Sequence, residues 1–160
     1  CDFTLTRLIR VFGSNEAGRH GAGAALTCVQ QYGAIYGQGF GLQGNSFGVP
    51  TKDGIGARAG ALLPLWKIKE YVDRLIQFMR EHPELEFEIW EIGCGLAKPC
   101  IVGVTTGYGC KHPECRTARV ADIASLFADA LPLANARLPQ SFVNYLNGRS
   151  TEDMEDEHHD

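Results

Sequence analysis

Nothing in this 160-residue chain approaches the roughly eighteen consecutive apolar residues of a membrane-spanning helix, so no span is expected. No basic-then-apolar leader opens it, and a start at Cys1 rather than Met leaves room for residues upstream. The strongly basic face of a nucleic-acid binder is missing as well, since even without the last ten residues 15 Lys and Arg stand against 13 Asp and Glu. No Gly-Lys-Ser/Thr occurs, so there is no P-loop, and the first glycine loop lacks the dinucleotide-binding spacing. Kinase and NAD-dependent dehydrogenase chemistry are therefore disfavoured, and no redox cofactor is expected. Neither a carboxylate pair nor a nucleophile–base pair can be assigned from the sequence.

What remains is the composition of a soluble globular protein, 44% hydrophobic and 21% charged, in a length that suits one domain with a proper core. The negative charge is concentrated at the end. Residues Thr151 to Asp160 hold six acids and no Lys or Arg, leaving 15 basic against 13 acidic groups elsewhere. Residues 1–150 thus form a single expected domain compatible with a small anionic ligand, followed by an acidic, solvated tail over 151–160. Six cysteines in a chain with its own apolar core predict reduced thiols and a cytosolic setting rather than disulfide staples.

Two glycine-laced turns carry the functional argument. Gly13 to Gly23 follows the apolar run Arg7 to Phe12, and Gly93-Cys94-Gly95-Leu96-Ala97 follows Phe87 to Ile92. A strand that breaks into glycine and restarts as a helix exposes backbone N–H groups and the positive end of a helix dipole, which suits phosphate. Glycine is required where a Cβ would occupy the phosphate's space. Having the arrangement twice predicts two loops clasping one diphosphate-bearing, nucleotide-like ligand.

The periodicity between these turns alternates. Arg7 to Phe12 reads as a buried strand, and Ala22, Ala25, Leu26, Val29 and Tyr32 fall at helical spacing before Gly33. Ala34 to Tyr36 and Ser46 to Val49 read as short strands, with Gly37 to Asn45 between them too glycine-rich for regular structure. Leu65, Ile68, Val72, Leu75, Ile76 and Met79 form one apolar stripe between Pro64 and Pro83, the clearest helix of the chain. Phe87 to Ile92 is a strand, Arg119 to Leu131 a helix, and Pro139 to Leu146 a short terminal segment. Trp66 and Trp90 read as core. Strands alternating with helices predict an α/β fold of three layers, α/β/α, around a mostly parallel or mixed central sheet. In such folds ligands sit beyond the carboxyl ends of the strands, where both glycine turns lie.

Around this crevice the candidate ligand residues are Gly13, Ser14, Asn15, Gly18, Gly21, Ala22 and Gly23 from the first turn, and Gly93, Cys94, Gly95 and Leu96 from the second. Gln38, Gly39, Thr51 and Lys52 come from the segment between, with Lys52 countering phosphate charge. The alternative is that the glycines only permit tight packing and that the polar residues of 37–53 meet water. Asn15 can offer amide groups to a ribose hydroxyl, and His20 can contact phosphate or exchange protons near neutral pH. Cys94 reads either as a nucleophile at a helix dipole or as a small filler.

The strings Val11 to Ala25, Gly37 to Gly44 with Pro50-Thr51-Lys52-Asp53, Ile92 to Ala97, and Ala121 to Phe127 through Leu138-Pro139 resemble a protein family frequent in bacteriophage genomes. The likeness covers most of the chain. More distantly, the arrangement is similar to macrodomains, which bind ADP-ribose and its derivatives. That resemblance implies a macrodomain-like fold in which Asn15 approaches the distal ribose while Gly18 to Gly23 and Gly93 to Leu96 cradle the diphosphate. The early Asp that macrodomains place against adenine has no counterpart here. The implied function is binding of an ADP-ribose-type or NAD-derived nucleotide, in a phage context to sequester or degrade a host signal. Its enzymatic version is hydrolysis of an ADP-ribosyl linkage, with water positioned by Asn15 and assisted by His20 or Asp53.

Residues 98–118 are an insert relative to the phage family. Cys100, Cys110, His112 and Cys115 within it are a candidate structural zinc set, with free thiols or a disulfide as alternatives. A zinc-stapled protein-interaction module without nucleotide binding is accordingly the competing reading of the whole chain.

Overall fold

The structure, a computed structural model, describes residues 7–94 and 113–148. Its sheet is built on β1 (Arg7–Asn15), which lies between two parallel neighbours. On one side, Arg10 to Asn15 pair with β3 (Ser46–Lys52); on the other, Arg7 to Val11 pair with β4 (Leu85–Ile89). The two-residue β5 (Ala136–Arg137) extends the parallel set beyond β4, and β2 (Gly41–Gln43) closes the opposite edge antiparallel to β3. The order β2-β3-β1-β4-β5 is a mixed, mostly parallel sheet.

Strands flanked by helices bury apolar side chains on both faces, and β1 does so. Ile9 and Val11 join Phe47, Val49, Phe87 and Ile89 in the larger core, while Phe12 points the other way. The larger core is closed by α2 (Leu65–Glu81), whose stripe buries Ile68, Val72, Leu75, Ile76 and Met79. Each such side chain contributes about 1.5–3 kcal/mol when fully buried. Beside α2 lies α3 (Pro113–Leu126), inserting Ile123 and Ala124, and helix α4 (140–148) brings Phe142 against Phe127 at 5.6 Å between ring centroids. On the opposite face α1 (Gly23–Gln31) covers Phe12 with Ala25 and Cys28. The result is a three-layer α/β/α arrangement. No helix among the described residues is long and apolar enough to cross a membrane.

Several elements differ from their sequence reading. β1 runs on through Gly13, Ser14 and Asn15 because these residues keep pairing with Val49, Pro50 and Lys52. Ile35 and Tyr36 are not strand: the Ile35 N–H donates to Gln43 Oε1 and the Gln38 N–H to the Ile35 carbonyl, which makes a turn. β2 forms inside the glycine-rich run instead. α3 begins at Pro113 rather than Arg119, with Pro in its first turn and Glu114 favourable beside it. It gives way after Leu126 to a tighter turn over Ala128–Ala130. Trp66, expected in the core, is 63% exposed, because its position on α2 turns away from the buried stripe.

Candidate functional site

Because β1, β3 and β4 are parallel, their carboxyl ends lie together, and the chain leaves each there through a different loop. The two glycine turns meet at this edge. A Cβ built on Gly13 would lie 3.3 Å from Ile92 Cβ and 3.5 Å from Gly93 N. Above them opens a cavity of about 590 Å³. Its walls come from the end of β1 (Gly13, Ser14, Asn15), the start of α1 (Gly21 to Ala25), the end of β3 (Thr51, Lys52) and the exit of β4 (Trp90 to Gly93). Arg19, Tyr36, Ala59 and Leu62 complete them.

The start of α1 is bare. Its cap residue Ala22 makes no side-chain cap, and no acid occupies the first turn. The first amide of this turn to be bonded is Leu26, to the Ala22 carbonyl at 3.3 Å; those of Gly23, Ala24 and Ala25 have no acceptor among the described residues. These are the donors a helix N-terminus leaves over, and they carry its positive partial charge. Gly21 borders the same space, and a Cβ there would meet nothing within 4 Å. Neither packing nor a left-handed backbone requires glycine at that position. Arg19 and Lys52 add positive charge to the wall, against the carboxylate of Glu91, which accepts a hydrogen bond from the Ser141 hydroxyl of α4.

The loop between β1 and α1 is held by its own side chains. Asn15 Nδ2 donates to the Arg19 carbonyl at 2.9 Å, and Asn15 Oδ1 accepts from the Arg19 N–H at 2.8 Å. Among the described residues, one N–H and one lone pair of that amide are left over. Arg19 reaches across to the carbonyls of Gly54 and Gly56 at 3.0 and 2.6 Å. Glu16 ties the loop to α2, accepting from the Tyr71 hydroxyl at 2.6 Å and pairing with Lys67 at 3.0 Å. Those contacts, Tyr71 first, hold the Glu16 carboxyl below the usual range, while burial and the Glu16 bond push Tyr71 up to about 12.

The second turn is held from behind. Gly93 has φ +69°, and a Cβ there would lie 3.0 Å from Ile123 Cδ1 of α3. Arg119, 8% exposed, donates from Nε to the Gly93 carbonyl at 2.8 Å. Burial lowers the pKa of its guanidinium.

Of the residues expected to bind ligand, Gly13, Ser14, Asn15, Gly21, Ala22, Gly23, Thr51, Lys52 and Gly93 line this one cavity. Gly18, Gln38, Gly39 and Cys94 do not. Gly18 is bonded through its carbonyl to the Gly37 N–H at 2.7 Å, and Gln38 Nε2 donates to the Phe40 and Leu42 carbonyls. Gly39 lies under the loop, where the Ser14 hydroxyl donates to its carbonyl. Cys94 is buried, its thiol donating to the Ile92 carbonyl.

Two of the three residues expected to do chemistry are also set apart from the cavity wall. His20 is 1% exposed, its Nε2 bonded to the Gln38 carbonyl at 2.8 Å and its ring edge-on to Phe12 and Tyr36. Asp53 Oδ1 accepts from the N–H groups of Ile55 and Ala61 at 2.9 and 3.1 Å, folding the excursion after β3. Gly95, Leu96, Cys100, Cys110 and His112 lie outside the described residues. Cys115 is buried in the first turn of α3, and among the described residues no group of three or more His, Cys, Asp or Glu could hold a metal. Cys28 is buried on the inner face of α1, and that burial pushes its thiol up to about 11.

Sequence reasoning missed Arg19, Tyr36, Trp90 and Glu91 in the wall. The strand-end rule reaches Trp90 and Glu91, which directly precede the second glycine turn, whereas Tyr36 carries no local signal. No protein-family model, curated protein or solved structure matches the chain.

Proposed function

We propose that this cavity binds an ADP-ribose-type or NAD-derived nucleotide, with the diphosphate held by the start of α1 and by the Gly93 turn. The observation that carries the reading is a Gly21 that neither packing nor φ requires, beside three amides without acceptors among the described residues, in a space that also touches Gly93. A phosphate oxygen supplies the acceptors those amides lack and fills the volume a Cβ would take. Arg19 and Lys52 add charge complementarity. The volume lies within the range of small-molecule sites.

Binding is favoured over hydrolysis, because His20 and Asp53 are engaged with the protein's own backbone and Asn15 braces its loop. In a macrodomain-like protein of phage type, such a site would sequester a signalling nucleotide in the host cytoplasm. Calorimetric titration with ADP-ribose tests the reading, with Gly21→Val as the discriminating variant. Wild-type protein should bind with saturable heat. Gly21→Val should lose about tenfold or more in affinity while its unfolding free energy stays within about 0.5 kcal/mol of wild type, as for a substitution that meets no neighbour. Absence of binding by the wild type, or equal binding by the variant, contradicts it.

A further inference from the structure

We propose that the cavity reads the phosphate charge and the flat face of a ring but not the ring's hydrogen-bonding edge, so that it accepts nucleoside diphosphates irrespective of base. This rests on the nucleotide reading above. Two aromatic side chains border the cavity, Tyr36 from the turn after α1 and Trp90 from the exit of β4. Tyr36 is 62% exposed yet its backbone is fixed: the Gly37 N–H is bonded to the Gly18 carbonyl at 2.7 Å and the Gln38 N–H to Ile35 at 3.0 Å. Its ring rests edge-on against buried His20, 6.2 Å between centroids. A large aromatic held in water at a cavity rim is a ready platform for a planar group. Trp90 directs its indole N–H to Glu88 Oε1 at 3.2 Å, so its polar tip is spent on the protein.

The Ser14, Asn15 and Thr51 side chains of the wall are likewise bonded within the protein. The Ser14 hydroxyl donates to Gly39, Asn15 bonds Arg19 in both directions, and the Thr51 hydroxyl donates to Ser14 at 3.4 Å. Discrimination between ring edges comes from buried polar groups that a wrong partner leaves unpaired. Here the Ser14 and Thr51 hydroxyls already have partners, and of the Asn15 amide, which Arg19 holds in the loop, only one N–H and one lone pair remain. Stacking, by contrast, tolerates any base because each has a π-face.

Titration of the full chain with ADP, GDP, UDP and pyrophosphate tests this, in wild type, Tyr36→Ala and Tyr36→Phe. The three nucleotides should bind within about fivefold of one another. Tyr36→Ala should weaken all three by about tenfold or more, in line with a lost stacking partner, and leave pyrophosphate unchanged. Tyr36→Phe should behave as wild type. A preference of about a hundredfold for one base, which edge recognition would produce, overturns the proposal and leaves the nucleotide reading standing. So does a Tyr36→Ala variant with undiminished nucleotide affinity. Failure of pyrophosphate and every nucleotide to bind overturns the nucleotide reading and this proposal with it.

Discussion

Gly39, Gly44 and Gly48 look like the glycines at the start of α1 in sequence and stand in opposite surroundings. A Cβ on Gly39 would fall 2.3 Å from the Asn15 carbonyl oxygen, one on Gly44 2.6 Å from Gly33 Cα, and one on Gly48 2.5 Å from the Gly39 carbonyl oxygen. At Gly21 and Gly23 it would meet nothing within 4 Å. The first group forms a seam of backbone against backbone that lays the β2–β3 segment over the end of β1. The second leaves its backbone open to a cavity. Glycine in the first region serves the fold; in the second Gly23 is called for by its φ of +60°, and Gly21, which neither packing nor φ requires, leaves room for something outside the chain.

The comparison breaks first, if it is wrong, at Gly39. Gly39→Ala drives a methyl into main-chain atoms that no rotamer change can relieve. Its cost should lie at or above the upper end of the ~1–3 kcal/mol typical of overpacking. Denaturant unfolding measures it, and a near-neutral result would dissolve the distinction between the two glycine groups.

Asn15→Ala comes next. It leaves the Arg19 N–H and carbonyl without their side-chain partner. The ligand-free protein should lose about 1–3 kcal/mol, the penalty of unpaired buried groups. Unchanged stability would mean that Asn15 serves ligand alone.

The smallest effect is expected at Glu16, which anchors the open loop to α2. Its carboxyl is held below the usual range in the folded state, so the stabilisation is full above the unfolded-state value and disappears as pH falls through the folded one. Glu16→Gln should therefore lower stability at neutral pH by about 0.5–1.5 kcal/mol. It should also flatten the acid limb of a stability–pH curve. A limb as steep as that of wild type would remove Glu16 from the account.

Much of the scaffold was legible because its signals are local. The α2 stripe from Leu65 to Met79 and its proline boundaries read directly as a helix, and the apolar runs at Arg7 and Phe87 read as strands. What was not legible depends on partners distant in sequence. Ser14 and Asn15 look like turn residues, and only the ladder to Pro50 and Lys52 keeps them extended. Ile35 and Tyr36 look like strand, and bonds to the Gln43 side chain, eight residues on, and to the Gly18 carbonyl help to make them a turn. The site followed the same division. Glycine after an apolar run marked Gly13 and Gly93, whereas the roles of His20 and Asp53 depended on which backbone groups would capture them.

Backbone amide resonances of isotope-labelled protein, followed during titration with ADP-ribose, test the central claim most directly. The account predicts that the amides of Gly21 to Ala25 and of Gly93 move on saturation while those of Gly39, Gly44 and Gly48 stay in place. Saturating ligand that leaves the start of α1 unperturbed, or perturbs only residues away from the cavity, would contradict it.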